Sequence, residues 1–326
     1  MNIVYSTSDY FVKPTIVSIV SLLNHNRVTN IIILYSELSE SSKDLLFSKI
    51  SSKTNIVFLQ CDSLISSKLS KYKLKKVRGN WNTYLRIFIP DLLPQYERIL
   101  YIDSDTLIKG DISNLYDINF KDTYFAAVID HVACSKYANI ENKEVLEVGD
   151  YYNCGILLMN NSKLVEINFT NEVLSFLDKT NMTFRVADQS IINFLYSHKF
   201  QSIDVGYNFY AGLHYLNSFA SKLVLNIDYT NYHKDLNKIK IIHFIGHWFE
   251  RPWFKKHSSL FSKEYLNVFY SCGFTNSDLT KIPEYSKHYI YDYAMLYLRR
   301  FGFMKIEFYF RYMIMQKLKT IIKIDR

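Results

Sequence analysis

Short, almost wholly apolar runs recur along the chain: Asn2 to Ser6, Asn30 to Tyr35, Asn55 to Gln60, Arg98 to Ile102, Tyr124 to Ile129, Ile156 to Met159 and Lys240 to Phe244. Their length and lack of polar alternation predict strands buried on both faces. Between the early runs lie stretches with helical spacing, Val12 to Asn24 and Ser42 to Ser51, the second preceded by a Ser41-x-x-Asp44 capping pattern. Strand, helix, strand, helix predicts an α/β unit with a mostly parallel sheet covered by helices on both sides. Ligands in such sheets collect beyond the carboxyl ends of the strands, so the residues that follow each run are where chemistry is to be sought.

The sharpest of these positions is Asp103-Ser104-Asp105, directly after the run Arg98 to Ile102. Extended residues two apart point the same way, so both carboxylates can face one divalent cation. His243 ends the apolar pair Ile241-Ile242 in the same kind of position. Two carboxylates and one imidazole suit Mn²⁺ better than Ca²⁺ and leave coordination positions for substrate oxygens.

Length and composition bound the remainder. With 326 residues, 48 % hydrophobic and 21 % charged, the chain is neither disordered nor fibrous, and is long enough for one large unit with an appendage. Cys61, Cys134, Cys154 and Cys272 are scattered without C-x-x-C spacing, which argues against a zinc site or a disulfide framework and for a reducing compartment. The start, Asn2-Ile3-Val4-Tyr5, lacks the basic lead-in of a signal peptide, and no apolar window reaches membrane-spanning length. Net charge is +8, but from Ile290 onward eight basic residues face three acids, so five of those charges belong to the tail. A basic run, Lys71 to Arg78, reads as a solvated face. That distribution, with no nucleic-acid module beside it, makes nucleic acid a poor partner. From about Tyr289 the basic residues interleave with Tyr291, Tyr293, Tyr297, Phe301, Phe303, Phe308, Tyr309, Phe310 and Tyr312. This predicts helical segments outside the catalytic core that suit an anionic membrane surface.

Five blocks in order carry a resemblance: NIVYSTSDYF at the start, NTYLRIFIPDLLPQYERILYIDSDTLI at 82 to 108, YYNCGILLMNNSKL at 151 to 164, ADQSIINFL at 187 to 195 and IIHFIGHWFERPW at 241 to 253. In these the chain resembles glycosyltransferase family 8, the retaining GT-A enzymes that include bacterial lipooligosaccharide galactosyltransferases, lipopolysaccharide glucosyltransferases and the glycogenins. The resemblance implies a GT-A fold, a single Rossmann-like and mostly parallel sheet flanked by helices. A catalytic domain over residues 1–255 and a C-terminal helical, basic and aromatic extension over 256–326 follow from it. By similarity, Asp103, Asp105 and His243 hold Mn²⁺, or Mg²⁺ in its place, against the two phosphates of a UDP-sugar.

The same resemblance assigns the donor site. Ser6, Thr7, Ser8 and Asp9 would cup uracil and ribose, with Thr7-Ser8-Asp9 standing where the family commonly has Ala-Asp-Asp. Arg86, Ser104, Asp130, Asn153, Cys154, Gly155, Asp188 and Gln189 match positions around the donor sugar. The family commonly reads His-x-x-Gly-x-x-Lys-Pro-Trp, whereas here His243 and Gly246 precede Arg251-Pro252-Trp253 by a loop two residues longer. Arg251 keeps the positive charge for a diphosphate, and Glu250 beside it has no counterpart role. The implied reaction is transfer of glucose or galactose from a UDP-hexose to an oligosaccharide or lipid-linked saccharide, on the cytoplasmic face of the plasma membrane. In a front-face displacement Gln189 would stabilise the positive sugar, Asp188 would position its hydroxyls, and Arg86 would fix Asp188 or the donor. A covalent intermediate on Asp130 or Asp188 is the alternative. A glycogenin-like enzyme that glycosylates itself, or a non-enzymatic binder of an anionic ligand or nucleic acid, is the competing reading of function.

Overall fold

A computed structural model describes residues 1–72, 81–131, 149–180, 186–212, 234–246, 248–257 and 259–281, with single positions (74, 76, 133, 134, 184, 232) between them. The C-terminal segment from 282 and half of the basic run Lys71 to Arg78 lie outside the described residues; Lys71 itself pairs with Asp178 at 2.8 Å.

Strands β1 (Asn2–Ser6), β2 (Asn30–Tyr35), β3 (Asn55–Gln60) and β4 (Arg98–Ile102) form where the apolar runs predict them. They pair in parallel, in the order β3-β2-β1-β4. Helix α1 (Val12–Leu23) follows β1 and helix α2 (Glu40–Ile50) follows β2, each returning the chain for a parallel partner. The cap of α2 is Ser39, whose side chain accepts the Ser42 N–H, so the helix starts before the Ser41-x-x-Asp44 pattern. Beyond β5 (Thr106–Ile108) and β6 (Phe125–Ala127), β7 (Ile156–Asn160) enters beside β4 in the antiparallel sense, with Ile102 opposite Ile156. Strand β8 (Phe200–Ser202) closes the seven-stranded, mixed sheet at its far edge.

A separate three-stranded sheet, not foreseen from the patterning, accompanies the expected one. It joins β5 to β9 (Phe209–Tyr210) and β10 (Ile241–His243), in the order β5-β10-β9. His243 therefore belongs to this small sheet, opposite Thr106 of β5. The run Tyr124 to Ile129 contracts to the three residues of β6, with an isolated bridge from Ile129 to Tyr152 beyond it.

Two apolar layers clasp the main sheet. One includes α1, α2 and the small sheet; the other includes Tyr84 to Ile89, Phe169–Lys179 and Ala187–Tyr196. The first layer continues past residue 255. Phe261, Tyr265 and Phe269, in or beside the helix Ser262–Ser271, are buried in the same cluster as Ile16 and Phe244. Among the described residues no helix is long and apolar enough to cross a membrane.

Candidate active site

The antiparallel entry of β7 builds the site. It brings the residues just before β7, Asn153 to Gly155, alongside those just after β4, and the Asp103 N–H donates to the Gly155 carbonyl at 2.7 Å. Strand β10 runs antiparallel to β5, so His243 arrives beside Asp105. The His243 Nε2 lies 3.1 Å from Asp105 Oδ1 and 3.7 Å from Asp103 Oδ2. One ligand atom from each of the three lies within 4.8 Å of the others. Gly155 closes against this group: a Cβ there would stand 2.3 Å from His243 Cε1 and 2.7 Å from Asp103 Oδ2. Two carboxylates and an imidazole, packed so closely that only glycine fits beside them, form a donor set suited to a divalent metal ion.

Asp103 is oriented by protein donors on its other oxygen. Arg86 Nη2 at 3.2 Å and the Tyr101 hydroxyl at 3.0 Å both reach Oδ1, leaving Oδ2 toward His243. The Arg86 guanidinium lies 4.2 Å above the Tyr101 ring centre, donates to the Cys154 carbonyl, and pairs through Nε with Asp188 Oδ2 at 2.6 Å. Asp188 also accepts the Thr83 hydroxyl at 2.7 Å. Burial pushes the Asp188 carboxyl up to about 6, while Arg86 and Thr83 pull it down, so it is ionised at neutral pH. Ala187 sits at φ +50°, the turn from which Asp188 and Gln189 enter the site at the start of their helix.

Gln189 is held from both ends of its amide. Its Oε1 accepts the Cys154 N–H and the Asn153 side-chain N–H, each at 3.1 Å, and its Nε2 donates to Asp130 Oδ2 at 3.1 Å. Asp130 takes a further bond from the Ala133 N–H on Oδ1. Cys154 serves through its backbone; its thiol is buried in the core.

Ser6, Thr7, Ser8, Asp103, Ser104 and Asp105 line an open cleft of about 170 Å³. Thr7 turns its hydroxyl to Thr15 at 2.7 Å, and Ser104 donates to the Ser6 carbonyl at 3.0 Å. Asp9 stands apart from the cleft lining. Its carboxylate accepts the Ser39 N–H at 3.0 Å and the Ser39 hydroxyl at 2.9 Å, tying the first loop to the N-terminus of α2. Arg251 donates to the Gly246 carbonyl at 2.9 Å and faces the Trp253 ring, outside the lining of the cleft. Gly246 has φ +129°, and a Cβ there would meet the buried Glu250 carboxylate at 2.1 Å.

Asn82, Thr83, Tyr101 and Asn208 are site residues that the sequence reading missed. Tyr101 had a signal, because it precedes Asp103 by two on an extended strand. Thr83 precedes Arg86 by one helical turn. Asn208, a single polar residue between Tyr207 and Phe209, had none.

Known proteins resemble the chain in sequence and in fold. A profile described as glycosyl transferase family 8 matches residues 2–257. The glycosyltransferase GlyF of Streptococcus pneumoniae serotype 4 is 26 % identical over 257 residues, 77 % of this chain and 57 % of GlyF. The lipopolysaccharide 1,2-glucosyltransferase of Escherichia coli is 26 % identical over 200 residues, 60 % of this chain and 58 % of that protein. The chain thus spans less than two thirds of either relative. The galactosyltransferase LgtC, solved with donor and acceptor sugar analogues, superposes with a TM-score of 0.66 at 18 % identity, over 87 % of this chain and 98 % of LgtC, a likeness of fold. The family profile covers residues 2–257, most of the chain: the protein belongs to glycosyl transferase family 8.

Proposed function

We propose that the protein transfers a hexose, glucose or galactose, from a UDP-sugar to a saccharide acceptor of bacterial surface polysaccharide or lipopolysaccharide, with retention at the anomeric carbon and dependence on Mn²⁺. The observation that carries this reading is the convergence of Asp103, Asp105 and His243 at one end of a cleft whose other wall is the Ser6–Ser8 loop. Asp103, Asp105 and His243 would hold the ion, which when bound neutralises charge developing on a diphosphate leaving group.

The remaining chemistry belongs to the chain. Ser6 and Ser8 line the cleft and would offer hydroxyls to a ribose, and Asp9 fixes the loop that carries them. Asp188, ionised and locked by Arg86 and Thr83, offers an acceptor for sugar hydroxyls. The Gln189 carbonyl is a neutral dipole immobilised by two donors, suited to facing a sugar that becomes positively charged. Each tenfold in rate asks for about 1.4 kcal/mol of transition-state stabilisation. The relatives' names support a lipopolysaccharide-type acceptor.

The decisive experiment incubates the protein with Mn²⁺ and a panel of UDP-sugars and measures UDP release. Turnover with UDP-glucose or UDP-galactose, lost in Asp103→Asn and Asp105→Asn variants that still fold, is the expected result; metal-independent turnover, or none with any UDP-hexose, refutes the reading. For the basic, aromatic segment beyond 289 we keep attachment to an anionic membrane surface. A chain truncated there should retain turnover on a soluble acceptor and stop sedimenting with anionic liposomes; undiminished sedimentation removes the idea.

A further inference from the structure

Asn208, 1 % exposed, stands between the candidate metal ligands and the Gln189 cluster. Its Oδ1 is 2.9 Å from His243 Nδ1, and its Nδ2 is 2.8 Å from Asn153 Oδ1. Which end of each amide faces which partner is fixed by backbone groups, which cannot exchange roles. The Gly155 N–H points at one terminal atom of Asn153 at 2.9 Å, so that atom is oxygen. The Cys154 N–H likewise makes the facing atom of Gln189 its oxygen, and the Asn153 nitrogen donates to it. Asn208 must then present its nitrogen to the Asn153 oxygen and its own oxygen to the imidazole. His243 Nδ1 must accordingly carry a hydrogen, and Nε2 is the ring atom turned toward Asp103 and Asp105.

We propose that Asn208 is a positioning residue that sets the orientation and tautomer of His243, so that Nε2 is the coordinating atom, and that it does so because two backbone N–H groups beside Gly155 dictate the direction of the whole amide chain. The inference deepens the metal-dependent reading and rests on it. An outer partner of this kind is worth about 10- to 100-fold in metal affinity.

The test titrates the full chain with Mn²⁺ alone, without nucleotide, and follows the free ion by electron paramagnetic resonance. Asn208→Ala should weaken binding by about 10- to 100-fold. Asn208→Asp keeps an acceptor for the His243 Nδ1–H but has no donor for Asn153. It should therefore recover most of the Mn²⁺ affinity while remaining as thermally destabilised as Asn208→Ala. A merely structural role predicts the aspartate to be no better than alanine at binding Mn²⁺, and that result overturns the proposal, as does unchanged binding by Asn208→Ala. A wild-type chain that does not bind Mn²⁺ overturns the metal-dependent reading as well, whereas wild-type binding with indifferent variants overturns this inference alone.

Discussion

Gly155 shows how little room surrounds the three candidate ligands. A methyl group there would be 2.3 Å from a carbon of the buried His243 ring, which has no flexible end to swing aside. Gly155→Ala should weaken Mn²⁺ binding by roughly tenfold or more, because a ligand displaced by even 1 Å no longer meets the ion with the other two; an unchanged titration would show that the ring can yield. Asp188 supplies a pH signature. Its carboxyl titrates at about 6 in the fold, against the ordinary aspartate value of 3.8. The folded state thus holds this proton more tightly, and the stability so contributed is full below about pH 4 and lost as pH rises through about 6. Urea unfolding of the wild type should lose stability across that window relative to Asp188→Asn, and a difference between the two that ignores pH would contradict the shift.

Helix α1 is buried along most of its length, yet it carries Thr15, Ser18 and Ser21 at three-residue intervals on one face. These meet Ser104, Thr106 and the Ile108 N–H, spaced by two along the chain that holds Asp105. Helical and extended periods are thereby matched, twice hydroxyl to hydroxyl and once hydroxyl to backbone N–H, and the chain carrying the carboxylates is clamped to the helix. Ser18→Ala would leave Thr106 and Tyr5 short of a buried partner and should cost about 1–3 kcal/mol of unfolding free energy. The exposed Ser48→Ala serves as control, expected within about 0.5 kcal/mol; equal effects would remove the clamp. This stripe was not legible from the sequence, since three small hydroxyls inside an apolar helix look like tolerated polar residues. The long strands were legible because burial on both faces leaves continuous apolar runs. β5 and β9 are too short to stand out, and the direction of β7 depends on pairing that no local pattern records.

At the scale of the molecule, the core does not stop where the family profile stops. Thr280 and Trp253 exchange backbone contact through a 2.8 Å bond, Tyr265 packs edge-on to Phe244 at 5.5 Å, and Lys13 pairs with Asp278 at 2.9 Å. A chain ended after residue 281 should unfold cooperatively in a thermal melt, whereas one ended after 257 should lose that transition through exposure of Phe244, Trp253 and one face of α1; matching melts would mean that the Ser262–Ser271 helix is dispensable. Asp103 and Asp105 were readable because they follow a strand, and His243 because it closes one, whereas Asp130, Asp188 and Gln189 were readable only through the family resemblance; Asn208 and the engagement of Asp9 with α2 depend on contacts between distant segments that spacing does not encode. The candidate ligands also impose an order of events during synthesis. Asp105 and His243 are separated by 138 positions and meet only when β10 docks on β5. A nascent polypeptide still inside the ribosome short of residue 243 has two carboxylates and no imidazole, so an ion can be captured only after nearly all of the fold has emerged.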